Sequence, residues 1–241
     1  MLTKKSRYKP FYKKYIRLRK NVQSREKLYN FKKSKWQIFL KLLNKFNRRL
    51  KNPPIYDHNI YFKPRFGFNY TNKYKFNLLI KQRICLFYGY LTEKFFKYTV
   101  KKSLQELKKK NYMYFENLNS FFIQRLESRI DVILYRSHFV SSVRSARQLI
   151  SHGQVIVNKK TVKKNSLKVK KGDLIEIKNQ AHDFIRNNII KNSLWPVYPL
   201  YLLINFNIFQ ILVVTDIKYS KILYHFPFWL NVSSVVNYYL K

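Results

Sequence analysis

Cysteine occurs once in these 241 residues, at Cys85. No intrachain disulfide can form, and a cysteine-based zinc site would lack its other thiolates. The histidines, at positions 58, 138, 152, 182 and 225, show no tight ligand spacing, so neither a metal nor a cofactor is expected. Alanine is confined to Ala146 and Ala181 and glycine to four positions, whereas Lys, Asn, Ile, Phe and Tyr abound. Folding needs do not explain that skew, because Ala and Gly are ordinarily among the commonest residues. A strongly A+T-rich genome does, and small organelle genomes are the usual example. Acids are scarce as well: eleven against fifty Lys and Arg, a net charge of +39. A monomer so charged repels itself unless a polyanion neutralises it. Nucleic acid and an anionic membrane both qualify, and counterion release makes a phosphate backbone the stronger sink. With 46% hydrophobic and 18% aromatic residues the chain can bury a core, which excludes a wholly disordered tail.

Four regions follow from the pattern. Residues 1–52 hold nineteen Lys or Arg and one acid, Glu26, interleaved with Tyr8, Phe11, Tyr12, Tyr15 and Ile16. Such an extension is either a solvated arm or one threaded into folded RNA, with rings on bases and cations on phosphates. A cleaved transit peptide would be Arg- and Ser-rich, whereas this segment is rich in Lys and Tyr. Because so many like charges cannot pack without counterions, it is expected to be largely disordered in the free protein. Within it Trp36, Phe39, Leu40, Leu43 and Phe46 recur at helical spacing until Asn52, Pro53 and Pro54 stop the helix. Residues 53–120 read as a mainly helical basic region, with an irregular aromatic loop from Asn59 to Tyr74. Helical spacing then returns from Phe76 to about Lys110, placing Leu79, Arg83, Leu86 and Phe87 on one side.

Residues 121–180 carry the most information. Ser128 followed by Asp131 has the form of a capping box, and Ile130, Ile133 and Leu134 give an apolar stripe at i, i+3 and i+4. Ser141 or Ser142 can cap a second helix, which Gly153 ends after His152. On that helix Val143, Ala146 and Ile150 share one face, while Arg144, Gln148 and Ser151 line the other with Arg147 beside them. Such a row is either a solvated face or a set of donors for an anion. Val155 and Val157 alternate, Asn158 and Lys159 can turn, and Leu167, Val169, Leu174, Ile175 and Ile177 read as further short strands closed by Gly172 and Asp173. Two helices thus pack on a small antiparallel sheet whose loops are crowded by Lys159, Lys160, Lys163, Lys164, Lys168, Lys170 and Lys171.

The run Arg129-Ile-Asp131, Tyr135-Arg136, Phe139, Ala146-Arg-Gln-Leu-Ile-Ser-His152 and Val157-Asn158, closed by Gly172-Asp173, resembles the RNA-binding module of small-subunit ribosomal proteins of the S-four family. Leu86-Phe87-Tyr88-Gly89 and Leu126-Glu127-Ser128-Arg129-Ile130-Asp131-Val132-Ile133-Leu134 are similar to its mitochondrially encoded members. The tail from Leu230 to Lys241 resembles the family's closing strand, which ends in a Tyr followed closely by Lys or Arg. The resemblance implies a non-enzymatic protein of the mitochondrial matrix, or less favourably of a plastid, that binds small-subunit rRNA early in assembly. It also implies neighbouring ribosomal proteins as partners and a place near the side where mRNA enters the subunit. The RNA-facing residues it implies are Arg136, Arg144, Arg147, Gln148, Ser151, His152 and Asn158, to which the loop cations Lys159, Lys170 and Lys171 are added. Arg147→Ala is expected to weaken RNA binding and leave the fold intact. Three positions depart from the family: Val143 stands where Arg is frequent, Lys159 where Gly commonly follows the Asn, and the cysteine cluster of some bacterial members is missing. A type I′ turn with Lys at its second central position is strained.

The expected class is therefore α+β: a basic helical N-terminal region, a two-helix RNA-binding module on a short antiparallel sheet, and a closing segment, 181–241, rich in β structure. Its last piece, from Phe226, is predicted as a strand because Val232, Val235, Val236, Tyr238 and Tyr239 favour a pleated surface. Two rivals remain. The same module occurs in RNA-modifying enzymes such as pseudouridine synthases and in some tRNA synthetases, yet the flanks offer no Gly-rich phosphate loop and few acids. A membrane-anchored protein would use the uncharged stretch near 194–215, but a span needs ~20 predominantly apolar residues. Pro196, Pro199, Asn205, Asn207 and Gln210 divide this stretch into two strand-like runs, Tyr201 to Asn205 and Gln210 to Thr215.

Overall fold

A computed structural model describes residues 11–18, 21–23, 30–48, 70–109, 115–191, 198–216, 226, 228 and 230–240. Among these residues α1 spans Tyr12–Leu18, α2 Ser34–Arg48, α3 Tyr70–Phe87, α4 Glu93–Lys109 and α5 Phe115–Glu127. They are followed by α6 (Ile130–Arg136), α7 (Val143–Ser151), β1 (Val155–Val157), β2 (Lys160–Val162), β3 (Leu174–Ile177), α8 (His182–Lys191), β4 (Leu202–Asn205), β5 (Gln210–Val213) and α9 (Val232–Leu240).

The strands form one antiparallel sheet in the order β2-β1-β3-β5-β4. Because side chains alternate across a strand, Val155, Val157, Ile175, Ile177, Ile211 and Val213 fall on one face, and all are buried. They join the apolar faces of α6 and α7, represented by Ile130, Ile133, Ala146 and Ile150, in one core. Ser142 caps α7 by accepting from the Ser145 amide at 3.1 Å. Gly153 ends it at φ 68, its amide bonding to Ile150 O and that of Gln154 to Leu149 O, a Schellman arrangement. The hairpin between β1 and β2 is made by Asn158 and Lys159 with φ of 48° and 64°, so the strained Lys of a type I′ turn is accepted.

The helical half shares that core. In α4, Phe96 and Val100 are buried one turn apart, with Thr99 and Ser103 beside them. α3 closes with a second Schellman arrangement, Gly89 bonding to Leu86 O and Tyr90 to Cys85 O. Gly89 is obligatory there: its φ is +75, and a Cβ would lie 2.7 Å from Val143 Cγ1 and 3.0 Å from Arg147 Nη2.

Several expectations change. The region boundary at 120 falls inside α5, and that at 180 divides the sheet, since β5 pairs directly with β3. Leu167 and Val169 form no strand of their own: Arg129 and Lys168 make an isolated bridge, flanked by bonds from Ile130 to Leu167 O and Val169 to Ser128 O. The closing piece is a helix, α9, rather than a strand. Val232, Val235, Val236 and Tyr239 recur at helical spacing, Asn231 Oδ1 accepts from the Ser234 amide at 3.2 Å, and Tyr239 donates to Glu93 at 2.6 Å. Packing against α3, α4 and α5 overrides β propensity. Tyr70 to Tyr74 belongs to α3, while 59–69 lies outside the described residues.

The expected free arm is also corrected for its described part. Tyr15, Leu18, Val22 and Phe39 are buried in the core. Tyr15 donates to Gln23 at 2.8 Å, Gln23 donates to Leu86 O at 2.9 Å, and Arg83 donates to Leu18 O at 3.0 Å. Net charge decides solubility and partners, not whether an amphipathic face finds a core.

Candidate nucleic-acid interface

Two buried carboxylates organise the site from beneath. Glu127, fully buried at the end of α5, accepts from Tyr88 (2.6 Å), Tyr201 (3.0 Å) and both Nε (3.1 Å) and Nη2 (2.6 Å) of Arg136. The Arg136 guanidinium lies 4.6 Å from the Phe87 ring centroid and 4.7 Å from that of Phe226. Burial alone would lower the Arg136 pKa, but the Glu127 carboxylate outweighs it and holds the charge above the ordinary arginine value. Burial and the same carboxylate push the Tyr88 and Tyr201 phenols well above theirs. Asp131, also fully buried, is gripped by Arg129 through two bonds (3.0 and 2.9 Å) and by Arg147 Nε (2.8 Å). Arg147 continues to Gly89 O (3.0 Å) and Tyr88 O (3.1 Å).

These contacts correct three sequence-based assignments. Arg136, 3% exposed, is a strut between α5 and α6 and cannot face RNA. Arg147, its side chain 25% exposed, ties α7 to the end of α3, so its truncation acts on the fold as well. Asp131 is no capping residue: Arg129 precedes α6 without a side-chain cap, and the Asp131 carboxylate belongs to the two arginines. The braces had a signal in the sequence, since acids set in apolar runs, Leu126-Glu127 and Ile130-Asp131-Val132, must find partners if buried.

The exposed surface is a ridge of donors. At the end of α7, Gln148, Ser151 and His152 are exposed. The Ser151 hydroxyl donates back to Gln148 O at 2.9 Å. A Cβ at Gly153 would lie 3.5 Å from Lys163 Cε, so Lys163 adjoins this helix end. From there β2, an edge strand bearing exposed Lys160 and Thr161, leads to the hairpin tip at Lys159. The loop holding Lys170 and Lys171 is fixed beside that tip. Asn158 Nδ2 donates to Asp173 Oδ1 (2.8 Å), Asn158 Oδ1 accepts from the Leu174 amide (3.0 Å), and Asp173 Oδ2 accepts from the Lys170 amide (2.7 Å). Asn158 thus presents the lysines rather than offering its own amide. Lys168 is held below the usual lysine range, first by partial burial and then by the Arg125 charge. Arg144 sits apart from the ridge, its guanidinium carbon 3.5 Å from the Phe11 ring centroid. The structure therefore brings together Gln148, Ser151, His152, Asn158, Lys159, Lys170 and Lys171, and removes Arg136 from the set. The sequence reading missed Tyr90 and Lys14, which join Arg144 and Phe11 in a cluster of rings and cations.

The S4 domain family matches residues 128–175, the stretch holding both the ridge and the Asp131 brace. Small ribosomal subunit protein uS4m of Reclinomonas americana is 32% identical over 184 residues, 71% of this chain and 67% of that protein. The chain belongs to the uS4 family of small ribosomal subunit proteins. The uS4 protein of Aquifex aeolicus is 39% identical over 119 residues, 48% of this chain and 53% of its own. That of Rickettsia typhi is 33% identical over 150 residues, 61% of this chain and 66% of its own. The chain thus spans about half to two thirds of these relatives, each bearing the name of a ribosomal protein rather than of an enzyme. Among the described residues no helix is long and apolar enough to cross a membrane, and Leu202 to Val213 is occupied by paired β4 and β5.

Proposed function

We propose that this chain binds small-subunit rRNA as a structural constituent of the small subunit of a mitochondrial ribosome. The observation that carries this reading is the lysine ridge, whose hairpin tip and 170–172 loop are locked together by Asn158 and Asp173. A basic edge held rigid loses little freedom on meeting a phosphate backbone, and each phosphate neutralised releases counterions. The mitochondrial setting is supported by the similarity to the uS4m protein and by the Ala- and Gly-poor composition. Neighbouring small-subunit proteins as partners, a place near the mRNA as it enters, and action early in assembly belong to the same reading, through the family resemblance. The RNA-facing set is Gln148, Ser151, His152, Lys159, Lys170 and Lys171, with Arg144 at the other end of α7.

A salt titration of binding to the folded rRNA junction and to an unrelated duplex of equal length tests this. Lys170→Ala and Lys171→Ala should each make the log–log salt slope shallower by roughly one unit per lost phosphate contact. Gln148→Ala should weaken the junction more than the duplex. Unchanged slopes in both lysine variants, together with parent-like junction binding by Gln148→Ala, would remove the ridge from the interface.

A further inference from the structure

A second group of rings and cations lies against the N-terminal half of α7. Phe11, at the start of the described chain, and Tyr90, just beyond the α3 cap, have ring centroids 5.3 Å apart. Lys14 Nζ sits 3.1 Å from the Tyr90 centroid and 4.9 Å from that of Phe11, and Arg144 covers Phe11 at 3.5 Å. Tyr90 is 53% exposed and holds φ 58. A non-glycine residue in the left-handed region is strained, and a ring half in water returns little burial for it. Its position is nonetheless built: Gly89 permits close approach to Val143, Arg147 grips the carbonyls of Tyr88 and Gly89, and the Tyr90 amide closes the α3 cap at 2.7 Å. The buried carboxylates Glu127 and Asp131 are committed to arginines and tyrosines in the core, and α1 carries no acid.

We propose that Phe11, Lys14, Tyr90 and Arg144 form a binding site for an unpaired nucleotide, assembled from three separate parts of the chain, of which only Arg144 lies within the S4 domain. An exposed aromatic face accepts any base, since every base has a π face, and flanking cations take the adjoining phosphates. In the free protein the two cations occupy the ring faces, a cation–π arrangement. An incoming base replaces the Lys14 ammonium over Tyr90, and the ammonium turns to the phosphate. The site rests on the RNA-binding reading above and extends it from backbone contact to base stacking.

The test uses the full chain with three RNAs: a single-stranded oligouridylate, a bulge-free duplex and the folded small-subunit rRNA junction. Tyr90→Leu and, on a different element, Phe11→Leu should weaken the oligouridylate by about five- to fiftyfold while changing the duplex by less than about twofold. Tyr90→Phe should bind like the parent. Lys14→Gln should make the oligouridylate salt slope shallower by about one unit, and 4-thiouridine in the oligomer should crosslink to peptides containing Phe11 or Tyr90. Parent-like oligouridylate binding by both leucine variants, each melting like the parent, overturns the site, as does Tyr90→Phe behaving like Tyr90→Leu. A parent chain that binds the rRNA junction no better than the duplex overturns the RNA reading, a result visible without any variant.

Discussion

Replacing Glu127 by Gln probes the brace beneath the interface. The carboxylate is fully buried and accepts four hydrogen bonds, two from tyrosines and two from Arg136. The amide keeps the shape but turns one acceptor into a donor facing a donor, and it leaves the Arg136 cation buried between Phe87 and Phe226 without its counter-charge. Breaking one side of a buried pair costs roughly 3 to 5 kcal/mol. In a chain of this size that is about 2 to 4 °C per kcal/mol of melting temperature, so Glu127→Gln should melt roughly 6 to 20 °C below the parent. Arg136→Met should fall in the same range, because it strands the carboxylate instead. The double variant removes both charges, and its loss should fall short of the sum of the singles by at least about 2 kcal/mol. Thermal melting of the full chain by circular dichroism, with rRNA binding measured well below the melting point, separates the roles. Binding by folded Arg136→Met should remain within about twofold of the parent, since a residue that only braces changes stability and not contacts. A variant that melts like the parent, or an Arg136→Met that melts normally yet loses RNA, would refute the assignment of Arg136 to the core.

Arg147→Ala should destabilise the chain by about 2 to 3 kcal/mol, because it deletes charge-assisted bonds to Asp131 and to two backbone carbonyls while Arg129 still neutralises the carboxylate; an unchanged urea midpoint would return Arg147 to the surface set. Cys85 is buried and its thiol is pushed up to about 12, chiefly by burial. Iodoacetamide should therefore label it only as the chain unfolds, and labelling at a free-thiol rate would contradict its place in the core. Stability should fall above about pH 10. Tyr88 and Tyr201 ionise well above their ordinary value when folded, so the unfolded chain loses those protons first and is favoured as pH rises through 10. Lys81 acts with the same sign: burial works against its charge, but Glu93 and Tyr238 raise its folded value, and that gain disappears as pH climbs past it. Melting temperatures from about pH 8 to 11 should decline less steeply for Tyr201→Phe, and an equal decline would exclude Tyr201 from the effect.

The module between α6 and β3 was legible because local signals agree there. Ser142 and Gly153 bound one helix, Val155 and Val157 alternate, and Asn158 marks the turn, all within short sequence distances. The two later strand-like runs were legible for the same reason and became β4 and β5. Their joining to β3, across the 32 residues between Ile177 and Gln210 in sequence, was not visible, because pairing partners at long range leave no local pattern. α9 misled for a related reason: its valines suit either a strand or a helix, and the neighbours that decide, Phe96, Glu93 and Asn119, lie far upstream. At the site, periodicity correctly placed Arg147 and Gln148 on the polar side of α7. It could not tell an arginine that meets solvent from one whose guanidinium finds the α3 cap and Asp131. Arg136 shows the limit most clearly, because a cation in a strongly basic chain reads as surface until the one buried carboxylate that claims it is located.

The central claim is that this chain is a small-subunit component held by rRNA, and sedimentation tests it most directly. Epitope-tagged chain expressed in its own cells, with the organelle lysate resolved on a gradient of moderately high salt, should co-migrate with the small ribosomal subunit. A Lys159, Lys160, Lys170 and Lys171 quadruple alanine variant should shift toward the top as salt rises, while the parent stays with the subunit. Parent chain that remains at the top of the gradient at every salt concentration, or that travels with membranes after alkaline carbonate extraction, would contradict the account.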